Sequence, residues 1–374
     1  MSIAPLEGFT IGLTADRRRG EQANLLRRRG ARVLHGPTIS TVQVGDDEEL
    51  RSATSSVIEH PPSWLVATTG IGMRSWFEAA KAWGCEGDLR DAFVTTRILA
   101  RGPKAASAVE SLGLVVYQRA ASDRMAEVVR NLSEAGVAGE RVVIQLFGEP
   151  SPEVIAQLSA LGAEVVEVAT YQWRDPLEEG PALRLASAVA ACRVDAVTFT
   201  SAPALRNLVA IAERNGLAEA LLGALNGRVV AACVGPACAE AARAAGVFSP
   251  VAPAVGRLGL LIRELTDELL RRRPELVMEG HQVLLQGRLA IVDGEAVSLG
   301  RREREVLRVL AESPGALAPR AELLRAVWGE GARDSHVMEV TISRLRAKLG
   351  DAGSALATVS KHGYRLDPSP SPRA

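Results

Sequence analysis

Short apolar runs recur through the first 265 residues, separated by stretches long enough to be helices. They cover residues 9–15 (FTIGLTA), 64–69 (WLVATT), 97–100 (RILA), 141–147 (RVVIQLF), 163–173 (AEVVEVATYQW), 195–201 (DAVTFTS) and 228–235 (RVVAACVG). Val, Ile and Thr dominate them, and most are apolar throughout rather than alternating. A strand that is apolar on both sides must be covered on both sides. Parallel sheets sandwiched between helices meet that requirement, whereas open antiparallel sheets do not. The expected class is therefore α/β, doubly wound.

The pattern also repeats internally. Residues 64–77 (WLVATTGIGMRSWF) and 195–208 (DAVTFTSAPALRNL) each read as a strand, a Thr-Thr or Thr-Ser turn and a helix. Residues 98–113 (ILARGPKAASAVESLG) and 231–246 (AACVGPACAEAARAAG) each read as a strand, a Gly-Pro turn and an Ala-rich helix. Gly113 and Gly246 close those helices and suit C-caps. Two similar parallel-sheet domains are expected.

Lysine and arginine (44) balance aspartate and glutamate (44), so whole-chain charge points to no class of partner and charge must be read locally. Cys85, Cys192, Cys233 and Cys238 lack CxxC spacing, which indicates neither a zinc site nor a disulfide framework. They read as small buried hydrophobes. No metal and no cofactor are expected. No apolar run reaches the length of roughly 18 residues that spans a bilayer. The N-terminus shows no basic stretch followed by an apolar run, so the expected location is cytoplasmic, without a membrane partner.

The C-terminal third has a different grammar. From Val297 the order is VSLGRREREVLRVLA, PRAELLRAVWG, HVMEVTISRLRAKLG and ATVSKHGYRL: a helix, a second helix, a longer arginine-bearing helix and a hairpin. Short strands (VLLQG, RLAIVDG, EAVSLG) precede it, with Asp293-Gly294 as a hairpin turn. In the long helix Met338, Ile342, Leu345 and Leu349 share one apolar face. Thr341, Ser343, Arg344, Arg346 and Lys348 lie off that stripe, and Ser360, Lys361, His362 and Arg365 sit at the hairpin. Cations and hydroxyls displayed this way suit phosphate contacts and base edges in a major groove. The segment resembles the winged-helix output domain of OmpR/PhoB-type response regulators. That resemblance implies double-stranded DNA as partner, a recognition helix in the major groove and a homodimer on repeated half-sites. Arg333 joins the implied DNA-binding set. The wing departs from the family pattern, with Ser360-Lys361 where an arginine and a glycine are usual. No phosphoacceptor receiver domain is visible; Asp46-Asp47 open a helical stretch instead.

Roughly residues 8–265 resemble uroporphyrinogen-III synthase, which closes a linear tetrapyrrole while inverting its last ring. The carrying blocks are IGLTADRR, TTGIGMRSWF, ILARGPKAASAVESLG, VVIQLFGEPSPEVIAQLSALGAEVVEVATYQW, VTFTSAPALRNL and CVGPACAEAARAAG, in that order. The resemblance implies a discontinuous first domain (1–38 with 174–268), an inserted second domain with a two-stranded connector (39–173), and ligand bound in the cleft between them. A linker (269–281), the winged helix (282–367) and a disordered tail (368–374) follow. The implied ligand is a polycarboxylate, and helix N-termini offer free N–H groups to carboxylates. The expected ligand-binding residues are Thr14, Thr68, Thr69, Gly70, Arg101, Gly102, Lys104, Thr200, Ser201, Gly235 and Cys238. For the turns taken singly, helix capping is the alternative role. Tyr171 matches the family's connector tyrosine and is the candidate catalytic phenol.

Other positions depart from the synthase pattern: Thr14-Ala15 replaces a common Thr-Arg, Arg101-Gly102 leads to Ala105, Val234-Gly235 leads to Cys238, and Phe147-Gly148 replaces Arg-Gly. These departures favour a binding module over a catalyst. The fusion resembles actinobacterial regulators linked to nitrite assimilation. The expected function is a DNA-binding transcriptional regulator with a tetrapyrrole or other polyanionic metabolite as effector. The alternative is a bifunctional protein that keeps synthase (hydro-lyase) activity and also binds DNA.

Overall fold

The apolar runs form the strands of two parallel sheets. The computed structural model describes residues 3–43, 48–122, 124–146, 148, 151–176, 178–329 and 335–367. One unit comprises Met1–Thr38 with Glu178–Ala374, and the other Ile39–Leu177. The first begins with β1 (Thr10–Leu13), α1 (Arg19–Arg27) and β2 (Arg32–His35). The second holds β3 (Ser40–Gln43), α2 (Glu48–Glu59), β4 (Trp64–Ala67), α3 (Gly70–Ala82), α4 (Glu86–Ala92), β5 (Arg97–Ala100), α5 (Pro103–Ser111) and β6 (Val116–Arg119). It continues with α6 (Met125–Ala135), β7 (Arg141–Gln145), α7 (Pro152–Ala160), β8 (Glu164–Val168) and β9 (Tyr171–Arg174). The chain then returns to the first unit with α8 (Glu179–Ala190), β10 (Ala196–Phe199), α9 (Ala202–Arg214), α10 (Ala218–Asn226), β11 (Val230–Cys233), α11 (Pro236–Ala244) and α12 (Leu258–Arg271).

The first unit orders its parallel strands β11-β10-β1-β2, and the second β6-β5-β4-β7-β8. Without the edge strand β6, the order β5-β4-β7-β8 repeats β11-β10-β1-β2, so the sequence repeat is a repeat of architecture. Neighbouring strand residues enter opposite helical layers. Val197 and Phe199 pack with α8, α9 and α11, whereas Ala196 packs with α1 and α12. Leu65 and Ala67 likewise enter one layer of the second unit, and Trp64 and Val66 the other. Both faces of these strands are therefore buried, which is why the runs are apolar throughout. Each fully buried Leu, Ile or Val contributes about 1.5–3 kcal/mol of hydrophobic stabilisation.

The run 163–173, expected as one strand, is two. β8 joins the five-stranded sheet, while β9 pairs antiparallel with β3, Tyr171 opposite Gln43 and Arg174 opposite Ser40. The break falls at Ala169-Thr170, which carries neither Gly nor Pro to mark it.

The C-terminal region has β12 (Glu275–Met278), β13 (His281–Gln286), β14 (Leu289–Val292) and β15 (Glu295–Ser298) in an antiparallel sheet. Then come α13 (Arg301–Ala311), β16 (Ala318–Pro319), α14 (Arg320–Trp328), α15 (His336–Leu349), β17 (Leu356–Val359) and β18 (Gly363–Leu366). The last strands form a β16-β18-β17 sheet beside the helices, which makes a winged helix. Asp293 and Gly294 both have positive φ (49° and 89°), as the tight β14–β15 hairpin requires. The segment 269–281, expected to be a linker, holds the end of α12 and all of β12; buried Met278 joins the winged-helix core. Residues 368–374, the expected tail, lie outside the described residues, as do Asp46 and Asp47. Among the described residues no helix is long and apolar enough to cross a membrane.

Candidate functional site

In the first unit, three expected ligand-binding turns lie at the carboxyl edge of adjacent strands. Thr14 follows β1, Thr200-Ser201 follows β10 and Gly235 follows β11. The order in which strands join the sheet reverses between β1 and β10, the place where open α/β sheets leave a ligand crevice. Here the crevice is laced by protein groups: the buried Thr14 hydroxyl donates to Thr198 O at 2.9 Å, and Thr14 N donates to the same oxygen at 3.4 Å. Ser201 caps α9, its Oγ accepting from Ala204 N at 3.4 Å. Thr200 is half-buried. Gly235 differs from Ser201. It begins α11 with an extended backbone, Pro236 as the next residue and no side-chain cap. The first N–H groups of α11 are thus left without a capping side chain, and the missing Cβ at Gly235 makes room for Gly256 Cα, 3.1 Å from where that atom would stand. Cys238 is buried and donates to Phe199 O at 3.6 Å. Its hydrogen bond with Cys233, together with burial, pushes the Cys233 thiol far up, so that thiol stays neutral.

The second unit repeats the arrangement between β4 and β7. Thr68, 2% exposed, donates through Oγ1 to Gln145 O at 2.6 Å and to Gln145 Oε1 at 3.1 Å. Thr69 N donates to the same Oε1 at 3.0 Å, and Gln145 Nε2 donates to Leu146 O. Thr69 caps α3 by accepting from Gly72 N at 3.1 Å. Thr69 and Ser201 therefore cap helices, the alternative role of such turns, while the hydroxyls of Thr14 and Thr68 donate to carbonyls of the neighbouring strands. Gly70 lies so close to α5 that a Cβ would strike Lys104 O, which sets the N-termini of α3 and α5 side by side. Gly102, like Gly235, opens its helix without a side-chain cap and is followed by proline. Arg101 is half-buried and Lys104 exposed at that turn. Tyr171 is 2% exposed and meets Trp173 edge to face, with ring centroids 5.9 Å apart. Gly148 (φ 94°) presses on both rings, a Cβ there lying 2.6 Å from Trp173 and 2.8 Å from Tyr171. Its neighbour Phe147 lies outside the described residues.

Residue-type patterns miss Gln145 and Thr198. Both sit in runs that read as apolar strands, and only strand order reveals that they bond the turn residues Thr68, Thr69 and Thr14.

In the winged helix, Met338, Ile342, Leu345 and Leu349 are buried against α13 and α14, as their spacing requires. Ser343 and Arg344 face solvent, and the charge of Arg344 helps to lower the Glu303 carboxyl. Thr341 is half-buried, with its hydroxyl donating to Val337 O at 2.7 Å. Arg346 and Lys348, expected among the DNA-facing cations, are committed inside the domain. Arg346 donates through Nε to Leu356 O at 2.9 Å and through Nη2 to Thr358 Oγ1 at 2.9 Å, fastening β17 to the helix. Lys348 Nζ reaches Glu303 Oε2 at 2.7 Å and Ser298 O at 3.0 Å. Burial works to raise the Glu303 carboxyl, but hydrogen bonds from Lys348 and from Gly300 N outweigh it and hold its pKa below the usual range. Periodicity places both cations off the apolar face and carries no information about these partners. At the wing, Ser360, Lys361 and His362 are exposed, Lys361 with φ 65° and His362 Nδ1 2.7 Å from Ser360 O. Arg365 pairs with Asp367. Arg333 lies outside the described residues.

Comparison with known proteins agrees with this division. Residues 21–262 match the family model described as uroporphyrinogen-III synthase HemD, and residues 294–366 match "Transcriptional regulatory protein, C terminal". An uncharacterized protein of Bacillus subtilis (strain 168), YjjA, is 28% identical over 260 residues, 70% of this chain and 96% of its own. The crystal structure of a mutant uroporphyrinogen III synthase from the extremely thermophilic bacterium Thermus thermophilus aligns with a TM-score of 0.60 and 28% identity, covering 71% of this chain and all of that one (100%). The transcriptional regulatory protein KdpE of Mycobacterium tuberculosis is 35% identical over 117 residues, 30% of this chain and 52% of its own.

Proposed function

Because the chain belongs to the uroporphyrinogen-III synthase family and ends in a transcriptional-regulator DNA-binding domain, we propose that it is a transcriptional regulator whose synthase-like region binds a tetrapyrrole or another polyanionic metabolite as effector. The observation that carries this reading is the pairing of Gly102-Pro103 with Gly235-Pro236. Each opens a helix with no side-chain cap at a sheet's carboxyl edge. Uncapped N–H groups and the positive helix end attract carboxylates. The nearby hydroxyls and the Tyr171 ring are turned inward, which suits binding better than proton transfer. On DNA, Arg344 and Ser343 reach toward the major groove, Lys361 supplies the wing cation, and two copies bind side by side on repeated half-sites.

Two assays test the reading together. Uroporphyrinogen III added to the purified protein raises its melting temperature, since a ligand that binds only the folded state at 100 times its Kd adds about 2.7 kcal/mol. Hydroxymethylbilane given to the same protein yields no type III isomer above the spontaneous type I product. Type III product at enzymatic rates makes the protein a synthase that also binds DNA, and an unchanged melting temperature with every tetrapyrrole removes the effector.

A further inference from the structure

The first unit contains a polar joint away from the turns discussed above, where its α/β layers meet the winged helix. Gly287, between β13 and β14, lies against Gly8, and Arg288 N donates to Gly8 O at 3.0 Å. A Cβ on Gly287 would strike Gly8 O and stand 2.7 Å from Phe9 N. Buried Gln286 donates through Nε2 to Glu7 O at 3.0 Å.

Beside this contact, α13 offers two charges to the amino ends of β10 and β11. Asp195 accepts from Thr10 N at 2.7 Å and faces Arg304 at 3.2 Å. Arg228 pairs with both carboxylate oxygens of Glu305, at 2.8 and 2.9 Å. The side chains of Asp195, Arg304 and Glu305 are 11%, 18% and 16% exposed. Burial raises the Asp195 carboxyl while Arg304 opposes the rise, and at Glu305 burial is outweighed chiefly by Arg228.

The apolar clusters of the α/β layers and that of the winged helix have no member in common. Polar contacts, together with the Leu289 side chain against Gly8, hold the joint between these two cores. Enclosed ion pairs of this kind add little net stability, because desolvation offsets their attraction, yet removing one partner strands a charge and forces the geometry open.

We propose that Asp195, Arg304, Arg228 and Glu305 form an ionic latch that seats the DNA-binding region on the α/β layers, and that breaking the latch releases the winged helix as an independently moving body with its own core intact. The latch stands whether or not the synthase-like region binds a ligand.

Hydrogen exchange read by mass spectrometry on the full-length protein tests it. Arg228→Glu places like charges together at the latch. It speeds exchange of peptides spanning residues 6–10 and 286–289 by about tenfold or more, while peptides within β10 and α15 stay protected. Arg228→Lys keeps a cation opposite Glu305, which Arg304 and Arg308 also face, and leaves the joint at wild-type exchange. The more enclosed pair, tested by Arg304→Met, which leaves the Asp195 carboxylate without its cation, opens the same peptides. Unchanged exchange at the joint in Arg228→Glu, or a joint opened as far by Arg228→Lys as by Arg228→Glu, overturns the latch. If Arg228→Glu loses protection throughout the chain, the Arg304→Met variant is judged by the same two peptides, and unchanged exchange there overturns the latch.

Discussion

Replacing Arg344 and Arg346 one at a time separates a side chain offered to DNA from one spent on the fold. The two lie two residues apart on α15, and residue type alone gives them equal claim to the groove. Arg344 is exposed, whereas Arg346 holds Leu356 O and Thr358 Oγ1 of β17. Arg344→Ala removes one cation from the proposed DNA-contacting face of α15. If it contacts a phosphate, the slope of log K against log salt becomes shallower by about 0.9. If it reads a base edge, affinity for the preferred site falls by about 1–3 kcal/mol. Hydrogen bonds from a charged donor are worth about 1.5–3 kcal/mol each, less where solvent reaches them. Half-buried Arg346 therefore contributes on the order of 2 kcal/mol to keeping the wing on the helix. Arg346→Ala should lower the urea midpoint with an unchanged m-value. DNA affinity then falls through a misplaced wing, while the salt slope stays at the wild-type value. Salt-titrated binding to a duplex and urea unfolding of both variants supply the four numbers. A shallower salt slope for Arg346→Ala together with wild-type stability would refute the assignment, as would unaltered binding by Arg344→Ala.

Thr68→Val removes a buried hydroxyl that donates to Gln145 and leaves that amide underpaired, so denaturant unfolding should show a loss of about 1–3 kcal/mol. Gly148→Ala forces a side chain into a left-handed backbone against Trp173 and Tyr171, and a stability loss of about 2 kcal/mol is expected from overpacking, read by the thermal midpoint. The depressed Glu303 carboxyl fixes a pH response. Its folded pKa lies below the unfolded one, so its contribution is fully present above the unfolded pKa and is lost as pH falls through the folded one. Glu303→Gln should flatten the acid side of the stability profile; an acid limb identical to wild type would contradict the Lys348–Glu303 contact.

These strands are legible in the sequence because burial on both faces leaves little room for polar residues: central β4 and β10, and β11, an edge strand bridged by Val251, are buried along their whole length. β2 and β6 are hidden for the converse reason. Each is an edge strand, and sequences such as Arg32-Val-Leu-His and Val116-Tyr-Gln-Arg expose polar side chains that blur the signal. The turns at the sheet edges announce themselves by their Thr-Ser and Gly-Pro signatures, yet the direction of each hydroxyl does not. Whether Thr68 faces a ligand or Gln145 depends on β4 and β7 being neighbours, which is a long-range fact. The same holds for α15, where spacing identifies the buried face but cannot assign Arg346 to the wing or Lys348 to Glu303.

A regulator with a metabolite input must bind DNA differently with and without that metabolite. Duplex affinity of the full-length protein, measured at one salt concentration with and without saturating uroporphyrinogen III, tests this directly. Coupling between two sites ordinarily amounts to about 1–3 kcal/mol, so the Kd for DNA should shift by roughly 5- to 150-fold, and DNA should shift the Kd for the tetrapyrrole by the same factor. A Kd for DNA that is identical in both conditions, with tetrapyrrole binding independently demonstrated, would contradict the account.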